Sequence, residues 1–209
     1  MNNKSIGILD FKVNNIASVY NCLSKIQNLK IKIISNENDL KNLNHLIIPG
    51  VGSFKAGIEN LKKLNLFNKV SDFINKKENY LLGICLGAQL FFENSEEDFK
   101  INDGLKLFKG SCKKLYTNSE NVKIPHMGWN QVKIVKKSNI SKNIPNIFYA
   151  YFVHSYYLDA KNKDYILGKT LHGVNFPSII GDENKFGIQF HPEKSGQIGF
   201  QFLKNFVKL

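Results

Sequence analysis

A cysteine set between glycines and, about a hundred residues later, a histidine two positions from a glutamate could together carry out nucleophilic chemistry on a carbonyl. Gly83-Ile84-Cys85-Leu86-Gly87-Ala88-Gln89 lies where a continuous apolar run gives way to a helix-like stretch. Flanking glycines permit a tight strand-to-helix turn, because positive φ or close backbone approach favours positions without a Cβ. A turn of this kind lifts its central side chain above the sheet. The helix N-terminus that follows favours the thiolate, the attacking form. Cys85 is therefore expected to be a nucleophile. The plainer alternative is a buried free cysteine in a close-packed turn, and that reading is preferred for Cys22, on the apolar side of a helix, and for Cys112, in a basic strand.

For Cys85 the plainer reading gives way only if a base is supplied elsewhere, and Phe190-His191-Pro192-Glu193 supplies one after the apolar segment GIQF. In an extended segment residues two apart project to the same side, and Pro192 restrains the backbone between them. An imidazole at His191 can take and return a proton while a Glu193 carboxylate fixes its tautomer and supports the imidazolium. The competing reading is a surface turn with both side chains solvated. Pairing with the glycine-flanked cysteine turns the motif into a strong signal. Pro49-Gly50-Val51-Gly52 follows another apolar strand, where backbone N–H groups could meet a developing oxyanion. The Leu86 amide, at the helix start, is the natural second donor. PGVG strings on their own are mostly ordinary loops.

These groups need a scaffold, and the chain reads as one. A length of 209 residues suits a single domain over 1–209 with one core. Hydrophobic residues at 43% and charged residues at 22% are near globular averages and exclude a disordered composition. Three scattered cysteines, an odd number without CxxC spacing, argue against a disulfide framework or a metal site. The N-terminus lacks a signal-peptide pattern and no run reaches the length of a membrane span, so a cytoplasmic protein is expected. The net charge of +12 comes from scattered lysines. That distribution points to a solvated basic surface, suited to an acidic partner or a phosphorylated substrate, in preference to a nucleic-acid site.

Apolar periodicity predicts strands at 5–10, 29–35, 45–50 and 80–85, and helices after residue 16, over 53–75 and over 86–94. Strands alternating with helices imply a parallel sheet covered on both faces. The second half is β-rich: LKLFKGSCKKL, NQVKIVKK, IFYAYFVHSYYL, YILGKTLHG and PSIIGDENKFGIQF read as strands, with DENK as a hairpin turn. QIGFQFLKNFVKL returns to helical spacing.

PGVGSF, GICLGAQ and HPEKS, in this order, resemble the class I, or triad, glutamine amidotransferases. KIPHMGWNQV and YFVHSYY extend the likeness to the glutamine amidotransferase subunit family of imidazole glycerol phosphate synthase, over essentially the whole chain. The resemblance implies a flavodoxin-like three-layer α/β sandwich, mostly parallel, with additional antiparallel strands in the second half. It also implies hydrolysis of L-glutamine through a Cys85 thioester, without a cofactor or metal. Gly52, Gln89, Glu97, Ser155 and Tyr156 match positions that hold glutamine, and their groups suit its charged ends. A separate (βα)8-barrel synthase, forming a heterodimer, would receive ammonia through a channel and make imidazole glycerol phosphate and AICAR in histidine biosynthesis. His126, Met127, Trp129 and Lys194 match positions facing that partner, although Trp129 could equally pack on the core. The PGVG strand is the expected switch, since glycine-flanked peptides can flip. Where the family reads Asp-Tyr-Gly-x-Gly-Asn, this chain has Asp10-Phe11-Lys12-Val13-Asn14-Asn15. A paralogous branch feeds ammonia to a sugar amidotransferase in surface-glycan synthesis and is the alternative; a catalytically silent binding module is a third, which the intact triad disfavours.

Overall fold

The computed structural model describes residues 4–12, 15–98, 104–118, 120 and 122–209. The first half alternates as β1 (Lys4–Leu9), α1 (Ile16–Leu23), β2 (Leu29–Ile34), β3 (His45–Ile48), α2 (Phe54–Lys63), α3 (Phe67–Asn75), β4 (Tyr80–Ile84) and α4 (Leu86–Gln89). The second half is β5 (Asn94–Ser95), β6 (Gly110–Lys114), β7 (His126–Ile134), β8 (Ile147–His154), β9 (Tyr156–Ala160), β10 (Ile166–His172), β11 (Val174–Asp182), β12 (Lys185–Ile188) and α5 (Gly196–Lys208).

One nine-stranded sheet runs in the order β2-β1-β3-β4-β12-β11-β10-β7-β8. From β2 to β12 neighbours are parallel, and from β12 to β8 they are antiparallel. The central parallel strands β3 and β4 read as near-continuous apolar runs because both faces are covered, whereas the edge strand β2 alternates with Lys30 and Lys32. On one face Ile6, Ile8, Ile47, Leu82 and Ile84 pack with Val19 of α1 and Phe202, Leu203 and Phe206 of α5. On the other, Leu9, Leu46, Ile48 and Leu81 pack with Phe54, Ile58 and Leu61 of α2 and Val70 and Phe73 of α3. Each such side chain contributes about 1.5–3 kcal/mol of burial before the entropy of ordering is subtracted. A small sheet, β5-β6-β9, lies beside the main one. The expected DENK hairpin is present: Asp182 pairs with Lys185 across Glu183, at φ +50°, and Asn184.

Outside the segment that carries His191, local structure differs from the sequence or family pattern in four places. The helix expected over 53–75 is two, α2 and α3, broken where Asn65 takes φ +56°, a conformation Asn reaches more cheaply than most residues. Only Leu86–Gln89 of the stretch 86–94 is helical. Leu90, Phe91 and Phe92 are all buried, and three consecutive side chains cannot share one helix face. The amides of Leu105 and Phe108 instead bond the carbonyls of Leu90 and Phe91. LKLFKGSCKKL contributes strand only at Gly110–Lys114. Fourth, Lys12 stands at φ +66° where the family pattern has glycine; its amide and its ammonium, at 3.1 and 3.0 Å, both bond the Asp10 carboxylate and hold the bend. Val13 and Asn14 lie outside the described residues.

Candidate active site

Cys85 follows the last residue of β4 and precedes α4, with φ +51° and ψ −110°. A non-glycine residue there is strained, and its neighbours enforce the bend. A Cβ on Gly87 would lie 1.8 Å from the Ile48 carbonyl oxygen, and one on Gly83 would lie 2.5 Å from the Phe91 ring. Only glycine permits the close approach that tips α4 back over the sheet. The Cys85 amide donates to the Ile188 carbonyl at 2.7 Å, extending the parallel pairing of β4 with β12, in which Ile84 stands opposite Ile188. That register brings the segment after β12 against the cysteine.

His191 lies in that segment, three residues past Ile188. Its amide donates to Tyr151 O at 2.9 Å, and the Ser195 hydroxyl donates to His191 O at 2.6 Å while accepting from the Tyr151 amide at 3.0 Å. The hydroxyl thus staples the turn to β8. Pro192–Lys194 forms a single 3-10 turn, not the extended segment expected. The turn still brings Glu193 Oε1 to 2.7 Å from His191 Nδ1. Both side chains are buried, at 1% exposure for Glu193 and 2% for His191. With Nδ1 donating to the carboxylate, Nε2 is the free nitrogen, and it has no well-aligned hydrogen bond among the described residues. Burial alone would lower the His191 pKa. The charge of the neighbouring Cys85 sulfur and the bond and charge of Glu193 outweigh burial and push it up to about 10. A charged imidazolium at His191, braced by the Glu193 carboxylate and set beside the Cys85 sulfur, is the state this geometry favours.

A cavity of about 300 Å³ opens over Cys85, at the small end of ligand clefts. Val51, Gly52, Gln89, Glu97, Ser155 and Tyr156 line it. Gly52 takes φ +112°. Gln89 Nε2 donates to Tyr156 O at 2.8 Å. Glu97 Oε2 accepts the Phe54 amide at 2.6 Å, at the start of α2. Gly50 and Leu86 sit together behind the cavity: the Leu86 amide, expected to serve an oxyanion, points to Gly50 O at 3.4 Å.

Pro125, Val153 and His154 also line the cavity and received no role from the sequence. They lie inside the recognised strings KIPHMGWNQV and YFVHSYY, and strand alternation alone could not say which side chain turns inward. Gln189, fully buried, reaches Cys85 Sγ with Nε2 at 3.6 Å; no sequence signal separated it from the strand. Of the residues expected at a partner face, Met127 (64%) and Trp129 (58%) are exposed, and Trp129 packs edge-on against Tyr151 instead of joining the core. Lys194 is exposed, with Nζ 5.6 Å from the Tyr151 ring. His126 departs from that expectation. It is 2% exposed, stacked between Phe152 and His172, and bonded to His154 and Asn130. It points inward because β7 alternates and Met127, its neighbour, takes the outer face. Cys22 is half-buried in α1 and Cys112 is buried; burial raises both thiol pKa values, that of Cys112 well above the ordinary value.

Residues 7–209 match the family model described as glutamine amidotransferase class-I. The chain is 43% identical over 204 residues to the imidazole glycerol phosphate synthase subunit HisH of Caldanaerobacter subterraneus subsp. tengcongensis, covering 98% of each. It is 42% identical to the protein of that name from Methanocaldococcus jannaschii, covering 98% of this chain and 99% of the other. It is 38% identical to that of Bacillus subtilis, covering 98% and 96%. Among solved structures, PurLQS from Thermotoga maritima superposes with TM-score 0.75 at 14% identity over 99% of each chain. A glutamine amidotransferase, also from Thermotoga maritima, superposes with TM-score 0.65 at 15% identity, covering 100% of this chain and 82% of the other. These two likenesses are of fold.

Proposed function

Because this chain belongs to the class-I glutamine amidotransferase family, we propose that it is the glutaminase subunit of an imidazole glycerol phosphate synthase, delivering ammonia from L-glutamine to a separate cyclase subunit in histidine biosynthesis. Curated relatives of that name, matched nearly end to end, support this acceptor over a sugar-modifying one.

The observation that carries the chemistry is the buried line of Cys85, His191 and Glu193 beneath the cavity, with the imidazole pKa raised to about 10. The Cys85 thiolate attacks the glutamine carboxamide carbon, and the resulting oxyanion draws on amides from Gly50–Gly52 and Leu86. The His191 imidazolium gives its Nε2 proton to the departing nitrogen, ammonia leaves, and a γ-glutamyl thioester remains. Neutral His191 then takes a proton from water, which attacks the thioester. Glutamate departs, the sulfur leaves as thiolate, and the imidazolium is restored. Glu193 holds the ring and supports its charge throughout. Gln89, Glu97, Ser155 and Tyr156 hold the amino-acid end of the substrate. The Leu86 bond to Gly50 O must break for that amide to reach an oxyanion, which supports a resting state opened by rearrangement of the glycine-flanked strand.

Met127, Trp129 and Lys194, with Tyr151 between the last two, form the partner-facing patch. β8 links it to the chemistry: Tyr151 O holds the His191 amide, and Val153 O lies 3.8 Å from Cys85 Sγ. His126 acts here from inside, as a support for β7 and β8.

The test is reconstitution with a cyclase subunit. His191→Asn is expected to abolish glutamine-dependent synthesis and leave ammonium-dependent synthesis intact. Loss of both, or of neither, overturns the assignment.

A further inference from the structure

Among the described residues Cys85 Sγ has two close polar neighbours besides His191. Val153 O, at 3.8 Å, can only accept, and so favours a protonated thiol. The Gln189 side chain, at 3.6 Å, presents an amide whose effect depends on which atom faces the sulfur. The surrounding network settles the orientation. Tyr156 O is a backbone carbonyl and can only accept, so the end of Gln89 lying 2.8 Å from it is the amide nitrogen. That same nitrogen lies 3.4 Å from the Gln189 side chain, which must offer its oxygen there. Gln189 Nε2 is left pointing at Cys85.

We propose that Gln189 is a positioning residue for the reaction, its side-chain amide donating a hydrogen bond to the Cys85 sulfur that favours the thiolate over the thiol. The inference rests on Cys85 being the nucleophile and adds a second donor to the imidazolium. Hydrogen bonding to the charged form of a group favours that form. Inside the protein such a bond is little weakened by water, since Gln189 is 0% exposed. Position matters as well. Gln189 follows the last residue of β12, and its amide donates to Ser178 O at 2.9 Å, so its backbone is held by the sheet. His191 instead sits on a turn clipped to β8.

The measurement is the pH dependence of Cys85 alkylation by iodoacetamide in the full chain, read by peptide mass. Gln189→Leu is expected to displace the labelling profile toward higher pH by about one unit, roughly a tenfold smaller thiolate fraction at a given pH. In the assembled enzyme, kcat for glutamine is expected to fall with KM near wild type, and ammonium-dependent synthesis to stay unchanged. Should the Leu variant not fold, Gln189→Asn, which withdraws the amide by one methylene, carries the same expectation. A folded variant whose profile overlays the wild type overturns the role of Gln189 alone. Absence of Cys85 labelling in the wild type would instead undo the nucleophile assignment on which it rests.

Discussion

Acid should destabilise this protein steeply, because three of its histidines are buried as neutral rings. His45, His126 and His154 are 1%, 2% and 6% exposed. Burial first, then Lys4, lowers His45 to about 4. Burial, then the charges of His154 and His172, lowers His126 to about 3. Burial lowers His154 to about 3 as well, against a bond to Tyr156 O that raises it, with His172 and His191 lowering it further. An unfolded histidine titrates near 6.5. These depressed values make the unfolded chain bind protons that the folded chain refuses, so stability falls as pH drops below about 6.5 and goes on falling until the folded pKa values are reached. From about pH 7 to about pH 5 each ring costs about 2 kcal/mol, and the three together about 6 kcal/mol, against a total of about 5–15 kcal/mol for a typical domain. His191 has the opposite sign: its raised pKa gives a contribution fully present below about 6.5 and lost as pH rises through about 10. It therefore does not steepen the acid loss. The assay is urea unfolding at stepped pH, whose slope near about pH 5 counts about three protons taken up on unfolding. In His45→Phe, which keeps the stack on Tyr80 and the edge contact with Phe206, the slope should fall by about one proton. An unchanged slope would refute the neutral-histidine account.

The remaining expectations are quickly tested. Gly87→Ala forces a methyl to 1.8 Å from Ile48 O, so α4 must shift. Glutaminase activity should drop more than a hundredfold while thermal stability falls by several degrees, and an active, equally stable variant would show that the elbow tolerates displacement. A glutamine-like electrophile should label Cys85 and spare Cys22 and Cys112, whose thiols burial holds protonated; labelling that survives Cys85→Ala would contradict this. Trp129→Ala should weaken cyclase binding by about 2 kcal/mol, roughly thirtyfold, in a titration, and unaltered affinity would remove Trp129 from the interface.

Much of this was legible in local pattern. The glycine-flanked Cys85 and the His191-Pro192-Glu193 string pointed to a candidate nucleophile and a candidate base, because such chemistry needs particular residue types at short range. The central parallel strands were legible because burial on both faces leaves a near-continuous apolar run, as at His45–Ile48, while the edge strand β2 was legible from its alternation. Local periodicity failed where burial overrode it: Leu90–Phe92 are apolar in succession and buried from all sides, so the helix after Cys85 stops at Gln89. The 3-10 turn at Pro192–Lys194 was hidden because proline suits both an extended and a turned backbone.

Residue identities within two strings fixed which groups could react. Only the sheet decided that they meet. Cys85 and His191 are far apart in the chain, and the parallel register of Ile84 opposite Ile188 is what joins them. The same register seats Gln189 beside the sulfur, and the alternation of β7 sends His126 inward and Met127 outward. Side-chain direction along a strand has a period of two, so a slip of one residue would exchange those faces. Composition and motif cannot specify that register. Packing on both sides of the sheet does.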